Sequence, residues 1–250
     1  MKRFILYTVA LFGAVLLHST ESSDARLLKH HNLDEEKDPP SDHDDDDDSS
    51  DCPCKLLKRP DLVEKAPTAR WMAHSLDWGV LSTISSRLDG DPTPFGNIYS
   101  FVDGTCHNST GVPYIYGTYL DQSFSDISEN NKVSFTLTEA SLSSVCTNKA
   151  GLEACTIGTR HGDPENPVCA RLTLTGVLEV LEETSEEFQF AQGALFERHE
   201  TMKAWPKNHD WVIAKVNVED VWLIDYFGGA TILTPETYFE AGPPEESEEE

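Results

Sequence analysis

His199-Glu200 opens like the metalloprotease motif His-Glu-x-x-His, in which two histidines one helical turn apart ligate zinc and the glutamate acts as base. Four residues on, the chain carries Lys203, so the second ligand is missing and His199 reads as a helix-end histidine. His161 sits in Arg160-His161-Gly162-Asp163-Pro164, a turn sequence in which loop geometry accounts for each residue. His209 lies beyond Pro206, where only folding could give it a partner. No serine stands in a Gly-x-Ser-x-Gly elbow, and no local signature marks a Cys–His nucleophile. Gly228-Gly229 follows a strand-like run, yet no Lys-Ser/Thr helix start follows to complete a phosphate loop. Asp220 and Asp225 are two carboxylates among many and take no acid/base role from spacing alone. The motifs thus name no catalytic, cofactor-binding or metal-ligating residue.

The elements that must position any site lie between two acidic ends. The 250 residues carry 44 acids and 19 Lys or Arg, a net charge of −25. Eleven acids and one base between Asp34 and Asp51, with five acids after Gly242, hold fifteen of those charges and leave about −10 for the rest. Segments so charged and so poor in apolar side chains cannot offset their ordering entropy, so both read as disordered tails. The five-Asp run Asp44 to Asp48 lacks the glycine-turn spacing of a calcium loop and reads as a solvated spacer. The acidic remainder excludes nucleic acid as a partner, because phosphate binding needs clustered Lys and Arg.

Met1-Lys2-Arg3, the 14-residue apolar run Phe4 to Leu17 and the small polar exit to Ser23 describe a secretory signal peptide. That run is short of the roughly 20 residues a spanning helix needs, so no stable membrane insertion is expected. The segmentation is residues 1–23 signal peptide, 24–58 acidic tail, 59–241 folded domain and 242–250 acidic tail. Six cysteines (Cys52, Cys54, Cys106, Cys146, Cys155 and Cys169) fit an oxidising lumen, with connectivity open. Asn108-Ser109-Thr110 is a glycosylation sequon in what reads as a surface loop between Gly104 and Gly111.

Within the domain, Asp61 to Ser75 reads as a helix interrupted by Pro67. Strands are expected at Trp78–Ser85, Gly96–Val102, Val112–Tyr119, Val133–Leu137 and Val168–Leu181, with Pro92-Thr93-Pro94 turning the first into the second. Asp121 to Asn131 is a short helix or long turn. Glu186 to Trp205 has the periodicity of a helix, stopped by Pro206. Trp211–Val218 and Val221–Ile224 alternate as two strands before the Gly228-Gly229 turn, and Thr234-Pro235-Glu236 caps a last short helix. Trp205, Trp211 and Trp222 suit a core edge or an interface. About seven short strands with a few helices predict an antiparallel β-barrel decorated by helices.

From Ala69 to Tyr238 the chain resembles the CREG family of secreted glycoproteins. The residues that carry the resemblance are His74-Ser75-Leu76-Asp77-Trp78-Gly79, Thr83-Ile84-Ser85, Gly111-Val112-Pro113-Tyr114 and Glu129-Asn130. Cys169, Leu174-Thr175-Gly176, Phe196 to His199, and Glu200-x-Met202-Lys203-x-Trp205-Pro206 extend it. Asp225-Tyr226-Phe227-Gly228-Gly229 and Thr234-Pro235-Glu236 are its strongest part. The resemblance implies the split barrel of pyridoxamine-phosphate-oxidase-like flavoproteins, a homodimer, and a Cys155–Cys169 bridge flanking the His161-Gly162 loop. Related flavoproteins hold the phosphate of FMN with Arg and Lys from the middle strands and a Ser-Arg-Lys-like turn. The matching stretch here, Tyr119 to Phe124, has no base, and no Lys or Arg occurs between Leu88 and Lys132. A phosphate monoester carries nearly two negative charges near neutral pH, so it lacks a counter-charge there. The expectation is a secreted or endomembrane-lumen glycoprotein without cofactor, acting through an unknown protein partner. The alternatives are an FMN-dependent oxidoreductase and, more remotely, a haem protein.

Overall fold

The computed structural model describes residues 58–142 and 152–242. The apolar run Phe4–Leu17, the acidic segments 24–57 and 243–250, and Cys52, Cys54 and Cys146 lie outside them. Among the described residues, no helix is long and apolar enough to cross a membrane.

Helix α1 (Lys65–Ser75) leads into a hairpin of β1 (Trp78–Leu88) and β2 (Asp91–Thr105). Pro67 falls in the first turn of α1, where its missing N–H is no loss, so it starts the helix instead of interrupting it. The hairpin turns at Asp89-Gly90, with φ of 54° and 82°, the left-handed pair that suits the strand twist. Pro92-Thr93-Pro94 is therefore strand and not turn: Pro94 pairs with Ile84 and Thr93 with Ser85. Prolines are tolerated there because β3 (Asn108–Gly117) pairs with β2 only from Phe101 onward, leaving the earlier stretch an edge. The sequon asparagine accordingly begins a strand and not a loop, though its side chain is exposed.

Short helix α2 (Gln122–Ile127) connects to β4 (Lys132–Thr138), and β5 (Arg171–Val180) follows the long connection. Helix α3 (Glu186–Arg198) starts at Ser185, whose side chain accepts from the Phe188 N–H, with Glu186 and Glu187 at its positive end. It stops at Arg198, seven residues earlier than the sequence pattern predicts. Tertiary bonds cause this: His199 Nε2 donates to the Phe101 carbonyl (2.9 Å) and Arg198 to the His74 carbonyl (2.8 Å). A 3-10 turn, Glu200–Ala204, then drops Met202 into the core.

The two strands expected after Trp211 are one, β6 (Val212–Ile224). A bulge opposite Thr175/Gly176 skips Glu219, which moves the buried set from Val216 to Val221 and Leu223 and so broke the sequence alternation. Gly228 and Gly229, at φ of 113° and 105°, turn into the short β7 (Thr231–Leu233). Thr234 caps α4 (Pro235–Glu240) by accepting from the Thr237 N–H.

The seven strands run antiparallel in the order β3-β2-β1-β4-β5-β6-β7, and β3 also pairs with β6, from Tyr114↔Lys215 to Gly117↔Val212. That extra pairing closes a split barrel, with β3 and β7 sharing one edge of β6. Its interior holds Phe101, Ile115, Phe135, Leu172, Leu174 and Leu223, plugged by Trp71 and Met72 of α1 and by Leu76 just past its end. A second cluster forms outside the wall, where Phe188, Ala191 and Leu195 of α3 cover Val102, Tyr114 and Ile213.

Candidate functional site

Beyond the end of α3, the barrel wall opens into a cleft of about 260 Å³. Alternation on β3 puts Ile115 and Gly117 inward and Tyr116 outward. Gly117 is required where it stands, since a Cβ would lie 2.0 Å from the Phe124 ring. The Tyr116 ring lies 4.9 Å from that of Trp211 at 19° and 5.8 Å from that of Trp205 at 27°, a stacked wall. The two tryptophans meet each other at 4.9 Å. Their loop is fixed locally: Trp211 Nε1 donates to the Pro206 carbonyl (2.7 Å), Asp210 takes a left-handed φ of 48°, and the Thr118 hydroxyl donates to the His209 carbonyl.

Polar groups line the same cleft. Asp121 caps α2 by accepting from the Ser123 N–H at 2.8 Å, and the same carboxylate accepts from Asn97 Nδ2 (2.9 Å) and from the Tyr99 hydroxyl. Burial, reinforced by the bond to Asp121, pushes the Tyr99 phenol far up, so it remains a donor. Among the described residues, the lining contains no Lys or Arg. Ile98 (62 % exposed) and Leu120 (73 % exposed) present apolar surface in the same region of the chain.

A buried polar network lies under the β2–β3 turn. The Asp103 carboxylate, fully buried, accepts from His74 Nδ1 (2.8 Å), the Ser109 hydroxyl and the Gly111 N–H (3.1 Å). Arg70 is buried beside it and donates to Ser109 (3.1 Å) and to the Phe239 carbonyl (3.0 Å), with its guanidinium over the Tyr238 ring. Ser109 bonds to Asp103, not to His74, so this Ser, His and Asp do not form a nucleophile–base pair. The network is a latch joining α1, the β2–β3 hairpin and α4.

The other residues marked in the sequence stay apart. Burial pulls His199 below its ordinary pKa, and its ring serves the Phe101 carbonyl. Glu200 is exposed and faces Lys203 at 3.7 Å. His161 is exposed on its turn. His209 is half-buried with its ring 5.7 Å from Trp211. Asp220 is exposed at the β6 bulge, while buried Asp225 pairs with Lys65 Nζ at 2.7 Å. Cys155 and Cys169 form a disulfide with Cα atoms 5.0 Å apart, and Cys106 is disulfide-bonded as well. Among the described residues, no group of His, Cys, Asp or Glu could hold a metal ion. Sequence reasoning singled out Trp205, Trp211 and the base-free turn, but missed Asn97, Tyr99 and Tyr116. The Tyr114-x-Tyr116 alternation on β3 was the available signal for the last of these.

The sequence profile described as CREG, beta-barrel matches residues 60–240, nearly the whole described region. The chain belongs to this CREG β-barrel family. It is 36 % identical to chicken Protein CREG1 over 186 residues, covering 74 % of this chain and 90 % of that protein. With human Protein CREG1 it is 37 % identical over 181 residues, 72 % of this chain and 76 % of that one. Among solved structures, a heme binding protein from Mycobacterium smegmatis superposes with a TM-score of 0.52 at 20 % identity, covering 75 % of this chain and 63 % of that one. A protein of unknown function from Agrobacterium tumefaciens gives 0.50 at 17 %, over 72 % and 62 %. At such identities the neighbours establish the split-barrel fold of this CREG-family chain and no ligand.

Proposed function

We propose that this CREG-family chain is a secreted or endomembrane-lumen glycoprotein. It acts as a non-catalytic scaffold, binds protein partners, and self-associates as a homodimer. The observation that carries the reading is the charge of the cleft. The turn that in related flavoproteins supplies phosphate-binding bases here supplies Asp121, in a cleft that aromatic rings also line. FMN does not suit this donor set: its phosphate would approach a carboxylate, with no Lys or Arg among the described lining residues. The first N–H groups of α2, which could otherwise receive an anion, include one already taken by Asp121. Exposed Ile98, Tyr119 and Leu120 supply apolar area for a protein contact. The disulfide-bonded cysteines suit an oxidising lumen, and Asn108 is exposed for glycan attachment.

The test is the visible absorption spectrum of the native protein purified from a eukaryotic secretory host, with mass spectrometry of the same sample. The expected spectrum is featureless, with a mature N-terminus past the apolar run and a glycan at Asn108. A stoichiometric flavin spectrum would overturn the scaffold reading in favour of an oxidoreductase, and an intact Met1 would overturn the secretory one.

A further inference from the structure

The carboxylate of Asp121 is fixed by three donors, Asn97, Tyr99 and the Ser123 N–H, none of which brings a positive charge. Its Oδ1 takes two of these bonds and Oδ2 one, which leaves an acceptor position on Oδ2. Asp121 is only partly buried and lines the cleft, so this position is reachable. The nearest bases along the chain on the tryptophan side, Lys203 and Lys207, are exposed and are not among the lining residues. Among the described residues, the cleft thus combines a carboxylate without a counter-ion and the rings of Tyr116, Trp205 and Trp211. The Trp211 N–H is occupied by Pro206, so that ring has no donor to offer an anion.

Both parts attract the same chemistry. Aromatic faces carry negative potential and hold cations above them, and a carboxylate in a partly desolvated cleft binds a cation more strongly than one in open water. An anionic group is repelled by Asp121, and a neutral sugar would leave its charge uncompensated. The volume of about 260 Å³ lies just below the range of drug-sized pockets, so it admits a head group and not an extended ligand. The neighbouring exposed Ile98 and Leu120 offer apolar surface to the methylene stem of a long basic side chain. We propose that this cleft is the partner-recognition site of the scaffold and takes an ammonium or guanidinium head group, presented as a Lys or Arg side chain of a basic segment on the partner protein. The net negative charge of the chain favours the approach of such a segment. The proposal rests on the reading above that the cleft is not a flavin site.

The experiment is a titration of the purified full chain followed by tryptophan fluorescence and by the indole N–H resonance of Trp211. The probes are acetyl-arginine amide and acetyl-lysine amide, with acetyl-glutamate amide and methyl glucoside as controls. Saturable binding of the two cations alone is expected, weakened about tenfold or more by Asp121→Asn. Asparagine still caps α2, so the variant should keep its fold, checked by circular dichroism and urea midpoint. Trp211→Leu should weaken both cations as well. Absence of saturation, equal binding of the sugar or the acidic probe, or undiminished affinity in Asp121→Asn would each overturn the proposal. A flavin band in the absorption spectrum would instead sink the underlying scaffold reading, so the two failures are read on different instruments.

Discussion

Replacing Asp103 by alanine should be among the most damaging single changes in this barrel. The carboxylate is inaccessible to solvent and is the acceptor for His74 Nδ1, the Ser109 hydroxyl and the Gly111 N–H. Alanine leaves these donors facing a void, each at a cost of about 1–3 kcal/mol for an unsatisfied buried group. It also removes the carboxylate that shares Ser109 with the buried Arg70, whose own bonds go to Ser109 and to the neutral Phe239 carbonyl. Some relaxation and water entry will offset part of the sum, so the expected loss is about 3–5 kcal/mol, the lower part of the range for three orphaned buried donors. Set against a total of about 5–15 kcal/mol for a domain, that is a large fraction. Equilibrium urea unfolding, followed by tryptophan fluorescence and far-UV circular dichroism, measures it at constant m-value. Asp103→Asn keeps the shape and one acceptor and should cost clearly less. A loss for alanine below about 1 kcal/mol with unchanged m would refute the argument that this network, and not barrel packing alone, fastens α1 and α4 to the hairpin.

Two further outcomes are expected. Burial lowers the pKa of His199 from 6.5, so as pH falls the unfolded chain takes up the proton before the folded one does. The resulting penalty is absent well above pH 6.5 and grows as pH falls from there toward the folded value. His199→Gln keeps a donor for the Phe101 carbonyl and cannot titrate, so its urea midpoint should change less than the parent's between about pH 7 and about pH 5. Parallel profiles would show that His199 is not the group responsible. The Cys155–Cys169 bridge closes a 14-residue separation, for which loop entropy gives about 3 kcal/mol. The double alanine variant should therefore unfold at lower urea with the barrel's circular dichroism otherwise retained; an unchanged midpoint would show the loop ordered without its bridge.

Local chemistry was legible in the chain itself. Alternation in Val133–Leu137 and in β5 exposed those strands, because one face of each is buried and the side-chain period of a strand is two residues. Thr234-Pro235 announced α4, since a cap and an N1 proline act within one turn. Legibility failed wherever a distant partner decided the outcome. The bulge at Glu219 disguised one strand as two, because the skipped residue answers to the register of β5. Edge exposure let Pro92 and Pro94 sit in a strand, and edges are a property of the sheet. The end of α3 was set by carbonyls of His74 and Phe101, a hundred or so residues away.

The sequence by itself determined what this protein lacks and what it is made of: a base-free stretch from Leu88 to Lys132, acidic ends, tryptophans near Pro206 and the marks of a CREG-family barrel. Only the tertiary structure decided that these features meet. Closure of β3 onto β6 brings Tyr116 against Trp205 and Trp211, and the α2 cap sets Asp121 in the same cleft. The physical reason is range. Composition, capping and alternation act over a few residues and can be read along a chain. A cleft joins Asn97 to Trp211 through strand pairing, and its charge balance exists only once the barrel has closed.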